Sequence, residues 1–320
     1  MPKYIVGAYA TAPQTEQWDA QVQADYLNGI KGLANVAGIE HAFAGHLHPE
    51  DDAWFLENVN PEWEFVFTGV PGIMGNIGRN PLFGIASDDS SGRQEALCFY
   101  EKMRMAVIKL NSHLNRNAVS FVQLHTSPNR AVADSSSTSL MKSLTEMQGW
   151  DWGGAQLVIE HCDAYIDGQK PSKGFLSIDD ELSAIASVNK ASGSTIGISI
   201  NWGRSALETR SVEGPLAHIR LARESGLLRG LMFSGVSNVT GPYGLWEDTH
   251  MPPALPLEEG EDVYFSADSL LTKHEISRCL AAADGANLCY LGIKIGVRPR
   301  TLSALERVAC NRNTLAMLAD

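Results

Sequence analysis

Short apolar runs, rich in β-branched residues, alternate with amphipathic stretches from one end of the chain to the other. Eight runs read as strands: residues 4–10, 38–45, 64–70, 119–126, 155–162, 195–202, 228–236 and 288–296. Most are apolar at successive positions, the pattern of strands buried on both faces of a sheet. The stretches between them carry helical periodicity. Trp18, Val22, Tyr26, Ile30 and Leu33 recur at steps of three and four, and Ala96, Tyr100, Met103, Val107, Leu110 and Leu114 make a longer continuous face. Start signals accompany several helices: Pro49 with Glu50, Asp51 and Asp52, Ser177 three residues before Asp180, and Thr272 three before Glu275.

Eight strands alternating with helices through both ends of the chain predict an α/β fold. A single (β/α)8 TIM barrel, one domain over residues 1–320, fits better than an open doubly wound sheet. No glycine fingerprint opens the first helix, which removes the dinucleotide-fold signal. Two connections exceed simple turns, residues 71–93 after the third strand and 237–269 after the seventh. As long loops following strands, both are expected on the face where such barrels place their sites.

Composition narrows the chemistry. The chain holds 25 Lys and Arg against 37 Asp and Glu, a net charge of −12, with no basic run to offset it. Nucleic acid is therefore not an expected partner. The 5 cysteines are scattered without a C-x-x-C pair, which argues against a disulfide framework and a zinc knuckle. The start does not read as a signal peptide, and no apolar stretch approaches about 18 residues. The expectation is a cytoplasmic protein without a membrane partner.

Polar side chains gather where the apolar runs end: Tyr9 and Thr11, His46 and His48, Thr68, His125, Glu160 with His161 and Asp163, Asn201 and Arg204, Ser234 and Ser237, and Lys294. Glu160 closes the apolar run 157–159, so its carboxylate lies at the mouth of the core and needs a cation, metal or donor. Lys294, flanked by Ile293 and Ile295, must pair or lose its charge. These two and His125 are the candidate catalytic groups, with His125 open as base, ligand or satisfied histidine. His161 follows Glu160 directly and is expected on the opposite side of the strand, in a packing or supporting role. Asn201, Arg204, Ser234 and Tyr9 form the candidate substrate-binding set. Trp246, Asp248 and His250 in the second long loop are expected to close over it, the indole serving as a sugar platform.

With GIEHAF at the second strand, VQLHTSPN at the fourth and LVIEHCD at the fifth, the chain resembles the xylose isomerase-like barrel superfamily, and within it an uncharacterised family. That superfamily includes sugar isomerases, ketose epimerases and an apurinic endonuclease. The resemblance implies the barrel fold. It also implies a divalent metal held by Glu, Asp, His and Glu at the ends of strands five to eight. Only Glu160 matches that set; Asn201, Ser234 and Lys294 occupy the other places. An amide, a hydroxyl and an ammonium are poor substitutes for two carboxylates and an imidazole.

The expected function is therefore isomerisation, epimerisation or elimination on a sugar or sugar acid, with a small-molecule carbohydrate as partner. No metal and no cofactor are expected, and homo-oligomer formation is left open. Glu160 would move a proton beside a carbonyl while Lys294 supplies the positive charge that a metal supplies elsewhere. A Schiff base on Lys294 is a subsidiary possibility. The alternatives are a non-catalytic sugar-binding or regulatory barrel, and a metal-dependent hydrolase using Glu160, His125 and His250.

Overall fold

The computed structural model describes residues 4–254, 266–284, 286 and 288–318. Eight parallel strands close in chain order: β1 (Tyr4–Val6), β2 (Val36–Ala42), β3 (Glu64–Thr68), β4 (Val119–Leu124), β5 (Gln156–His161), β6 (Gly197–Asn201), β7 (Leu228–Phe233) and β8 (Tyr290–Ile293). Ile5 pairs with Gly292 and Val6 with Ile293, which joins the last strand to the first. The expected TIM barrel is present.

Helices cover the outside of the sheet and supply much of the core. The helix Ser90–Leu114 turns Ala96, Tyr100, Met103, Val107 and Leu110 inward, the face its periodicity predicts. Asp19 caps the helix Ala20–Lys31 by accepting from the backbone of Gln21 and Val22, so Trp18 and Leu33 lie outside it. Ser177 and Thr272 cap their helices as their spacing predicts. The helix after Pro49 starts later, at Asp52, with Asp51 as its cap.

Inside the barrel, side chains follow the period of two that a strand imposes. Ile5, Val66, Phe121, Val158, Met232 and Tyr290 plug the lower end. Tyr290 fits because Gly230 faces it: a Cβ there would lie 2.2 Å from the phenol ring. Two residues further along the strands the same parity carries Gln123, Glu160, Ser199 and Glu40, and then His125, Asn201, Ser234 and Lys294. An apolar floor with polar layers above it sets the floor of the site.

Several expected boundaries move. The first strand ends at Val6, and Ala8–Thr11 is a short helix. Trp202 opens the helix Trp202–Thr209 instead of ending the sixth strand. Residues 71–93 are not one loop, because the helix Val70–Ile77 begins directly after β3 and Ser90 starts the next. Within 237–269, Gly235 bridges Met251 and Ser237 bridges Ser269, while 255–265 lie outside the described residues. Among the described residues no helix is long and apolar enough to cross a membrane.

Candidate active site

Glu160, at the C-terminal end of β5, is fully buried and surrounded by two cations and an imidazole donor. Its Oε2 lies 2.7 Å from Arg204 Nη1 and 2.8 Å from His125 Nε2, and its Oε1 lies 3.5 Å from Lys294 Nζ. Lys294, just beyond β8, makes a shorter contact of 2.7 Å with Oε1 of Glu40, an inward-facing residue of β2. One ammonium is thus held between carboxylates from opposite parts of the barrel. The other Glu40 oxygen accepts from Gln123 Nε2 at 3.1 Å.

These environments push the two carboxyls apart. Burial opposes ionisation of Glu160, but Arg204, Lys294 and the bond from His125 outweigh it and hold the group well below the usual carboxylate range. At Glu40 burial wins over Lys294, aided by the charge of Glu160, and the group titrates higher than usual. Burial lowers His125 to about 4 despite the neighbouring Glu160, so the imidazole is neutral. Its Nε2–H then donates to Glu160, and its Nδ1 is a buried acceptor without a partner. The flanking anions more than offset burial at Lys294 and raise it, so the ammonium stays charged.

Helix geometry delivers Arg204. Asn201, the last residue of β6, caps Trp202–Thr209 by accepting from the Arg204 backbone N–H at 3.4 Å. The same amide oxygen accepts from Ser234 Oγ at 2.8 Å. Asn201 Nδ2, Arg204 Nη2 and the Tyr9 hydroxyl are buried without partners, and the Tyr9 ring centroid lies 5.2 Å from Lys294 Nζ. Backbone clearance matters at Gly7, where a Cβ would come within 2.9 Å of Lys294 Cγ.

Access comes from the first two strands. A cleft of about 470 Å³ reaches Tyr9 and Glu40 and is walled by Trp18, His48, Trp54 and Phe55. Trp18 and Trp54 meet edge to face with centroids 5.5 Å apart. The loop after β7 contributes differently from expectation. Asp248 accepts from Arg204 Nε at 3.2 Å and from Lys173 Nζ at 2.9 Å, with His250 Nδ1 3.2 Å away. Asp248 therefore latches this loop to the guanidinium. Trp246 packs under Arg210, 5.3 Å from ring centroid to guanidinium, and lines a separate recess of about 480 Å³ with Lys173 and Asp248. The aromatic wall near the carboxylates is supplied by Trp18 and Trp54, which lie beside β1 and β2 rather than in the long loop.

The family model described as Domain of unknown function (DUF4862) matches residues 5–310. The chain belongs to the DUF4862 family. Uncharacterized protein STM3670 of Salmonella typhimurium is 34% identical over 295 residues, 91% of this chain and 89% of that protein. Among solved structures, D-psicose 3-epimerase in the presence of D-fructose is similar with a TM-score of 0.58 at 13% identity, both chains covered in full. A putative xylose isomerase from Rhodospirillum rubrum gives 0.61 at 9% identity, over 100% of this chain and 98% of the other. The 3-keto-D-glucoside 4-epimerase of E. coli gives 0.54 at 13%, over 99% of each. These likenesses show the fold alone: the DUF4862 chain shares the eight-stranded (β/α)8 barrel of these structures.

The divalent-metal set that the sequence resemblance implies does not assemble in this DUF4862 member. Lys294 and Arg204 place two cations against Glu160, and the Asn201 oxygen is committed to Ser234 and the helix cap. His125 meets Glu160, but His250 turns to Asp248, so the hydrolase trio of Glu160, His125 and His250 does not form a ligand cluster among the described residues. His161 points outward to the helices, as its parity predicts, and contacts Glu181 and Glu208. Sequence reasoning missed Glu40 and Gln123. Both precede the ends of the apolar runs that were read, and the signal was available: Glu40 shares parity with Gly38, and Gln123 with Phe121 and His125.

Proposed function

We propose that this DUF4862 chain is a sugar isomerase or epimerase that exchanges a proton on the carbon beside a carbonyl. The observation that carries the reading is the buried Lys294 ammonium held between Glu160 and Glu40, the latter lining an aromatic-walled cleft together with Tyr9. Glu40, with its carboxyl pushed up by burial, is matched to taking and returning a proton. That role passes to it from Glu160, which its cations hold too firmly ionised to be the better base. Glu160 instead fixes Arg204, His125 and Lys294.

In the proposed step, the Glu40 carboxylate removes the proton and the C–H electron pair forms the enolate. The developing oxygen anion lies against Lys294, which supplies fixed positive charge in a water-poor site. Returning the proton to the former carbonyl carbon, as the hydroxyl on the deprotonated carbon passes its proton to the enolate oxygen, gives an isomer. A proton delivered from water to the opposite face, with the abstracted one left on Glu40 and released to solvent, gives an epimer. Partner-free groups on His125, Asn201, Arg204 and Tyr9 suit sugar hydroxyls. Trp18 and Trp54 offer faces to the apolar side of a sugar ring. The structural neighbours bearing the names of sugar epimerases and isomerases agree with this class of substrate.

The test is solvent exchange. Free and phosphorylated ketoses, aldoses and 3-keto-glycosides are incubated with the protein in deuterium oxide and read by mass spectrometry. Incorporation at the carbon beside the carbonyl by wild-type protein, lost in Glu40→Gln, is the expected result. Binding of a sugar without any exchange would leave the barrel a non-catalytic sugar receptor.

A further inference from the structure

A second polar cluster lies outside the barrel, between β5 and the helices that follow β6. His161, on the outer face of β5, directs Nε2 to Oε2 of Glu208 at 3.0 Å. His218, from the helix Glu213–Glu224, directs Nε2 to the other oxygen of Glu208 at 3.6 Å. All three ligand atoms lie within 4.8 Å of one another, the sole such grouping of three or more His, Cys, Asp or Glu among the described residues.

The outer nitrogens of both rings are also held. His161 Nδ1 meets Oε2 of Glu181 at 2.7 Å, and Glu181 is itself fixed by a 2.6 Å bond from Thr126. His218 Nδ1 meets Ser205 Oγ at 2.9 Å. A carboxylate or hydroxyl on one nitrogen, with the other turned to a shared carboxylate, is the support that metal-binding imidazoles receive. From these contacts we propose that His161, His218 and Glu208 bind one divalent transition-metal ion of the zinc type, distinct from the sugar site.

Two imidazoles and a carboxylate suit zinc, with the fourth position left to water. Tetrahedral bonds of about 2.0–2.1 Å need ligand atoms about 3.3 Å apart, so the cluster closes around an ion with small side-chain shifts. Binding exchanges one proton for the ion. Glu181 and Glu208 overcome burial and raise His161 to about 10, so its Nε2 proton must leave to solvent as the metal enters. His218 brings no proton to displace, since burial lowers it to about 4. Glu208 and His218 keep 8% and 6% of their surface exposed, whereas His161 keeps none. An ion here would fasten β5, one residue from Glu160, to two helices.

The experiment uses the full chain without a histidine tag, stripped with chelator and dialysed against micromolar zinc. The expected result is one zinc per chain by elemental analysis, a raised melting temperature, and retention of the ion in Lys294→Met but not in His218→Gln. No stoichiometric zinc in the wild type, or zinc retained in His218→Gln, would overturn the proposal. Should His218→Gln not fold, cobalt loading of wild-type protein decides instead. Intense visible absorption of a tetrahedral nitrogen–oxygen site is expected from one cobalt per chain, and its absence would refute the site.

Discussion

A buried ammonium costs several kcal/mol unless anions surround it, and Lys294 has two. Removing the charge leaves the buried Glu40 without its cation, while Glu160 keeps Arg204, so Lys294→Met is expected to lose about 3–5 kcal/mol of stability. Adding Glu40→Gln should recover part of that loss, because the double variant leaves fewer unpaired charges. Denaturant unfolding of the two variants checks this; additive losses would mean that Lys294 and Glu40 are not paired. Glu160 and Lys294 were legible in the sequence because each interrupts an apolar run, and a charge there has no cheap structural explanation. Glu40 was not, because attention to strand ends passes over a carboxylate two residues earlier. The packing of Trp246 against Arg210 was not legible for a related reason, since an aromatic in a long loop has no periodicity to say which way it turns.

At the level of elements, β1 is only Tyr4–Val6, and the chain leaves it through Gly7. The Gly7 N–H still donates to Ile293 at 2.7 Å, which brings the two backbones together beside Lys294. A methyl group at Gly7 would meet Lys294 Cα, Cβ and Cγ at 2.9–3.0 Å. Gly7→Ala is therefore expected to cost about 1–3 kcal/mol and to displace the ammonium. Proton exchange should fall more than tenfold in protein that still melts cooperatively, and unchanged exchange would mean that this approach does not position Lys294. The apolar runs located every strand, but strand ends blurred wherever a helix starts at once, as at Ala8 and Trp202. The helix Val70–Ile77 was hidden because its two glycines, and a proline near its start, read as loop chemistry.

The barrel as a whole was the most legible feature, since eight βα units repeat one pattern and closure follows from their number. Its pH dependence follows from histidines folded away in neutral form. Burial lowers His41 and His125 to about 4 and His250 to about 3, against an ordinary value of 6.5. Their contribution to stability is fully present above pH 6.5 and is lost as pH falls through 6.5 toward 4. At pH 5 each costs about 2 kcal/mol. Glu40, raised by burial, and His161, raised to about 10 by Glu181 and Glu208, work in the opposite direction, because each holds its proton more tightly in the fold than in the unfolded chain. The melting temperature should fall between pH 7.5 and 5, and a constant value would mean that these rings gain protons without cost.

The most direct measurement for the molecule is deuterium exchange catalysed by Lys294→Met on the sugar that the wild-type protein labels fastest. If Lys294 stabilises the enolate oxygen, folded Lys294→Met should lose at least about 100-fold in exchange rate, as when a group that stabilises a developing oxyanion is removed. Exchange at the wild-type rate in that folded variant would contradict the lysine-centred site.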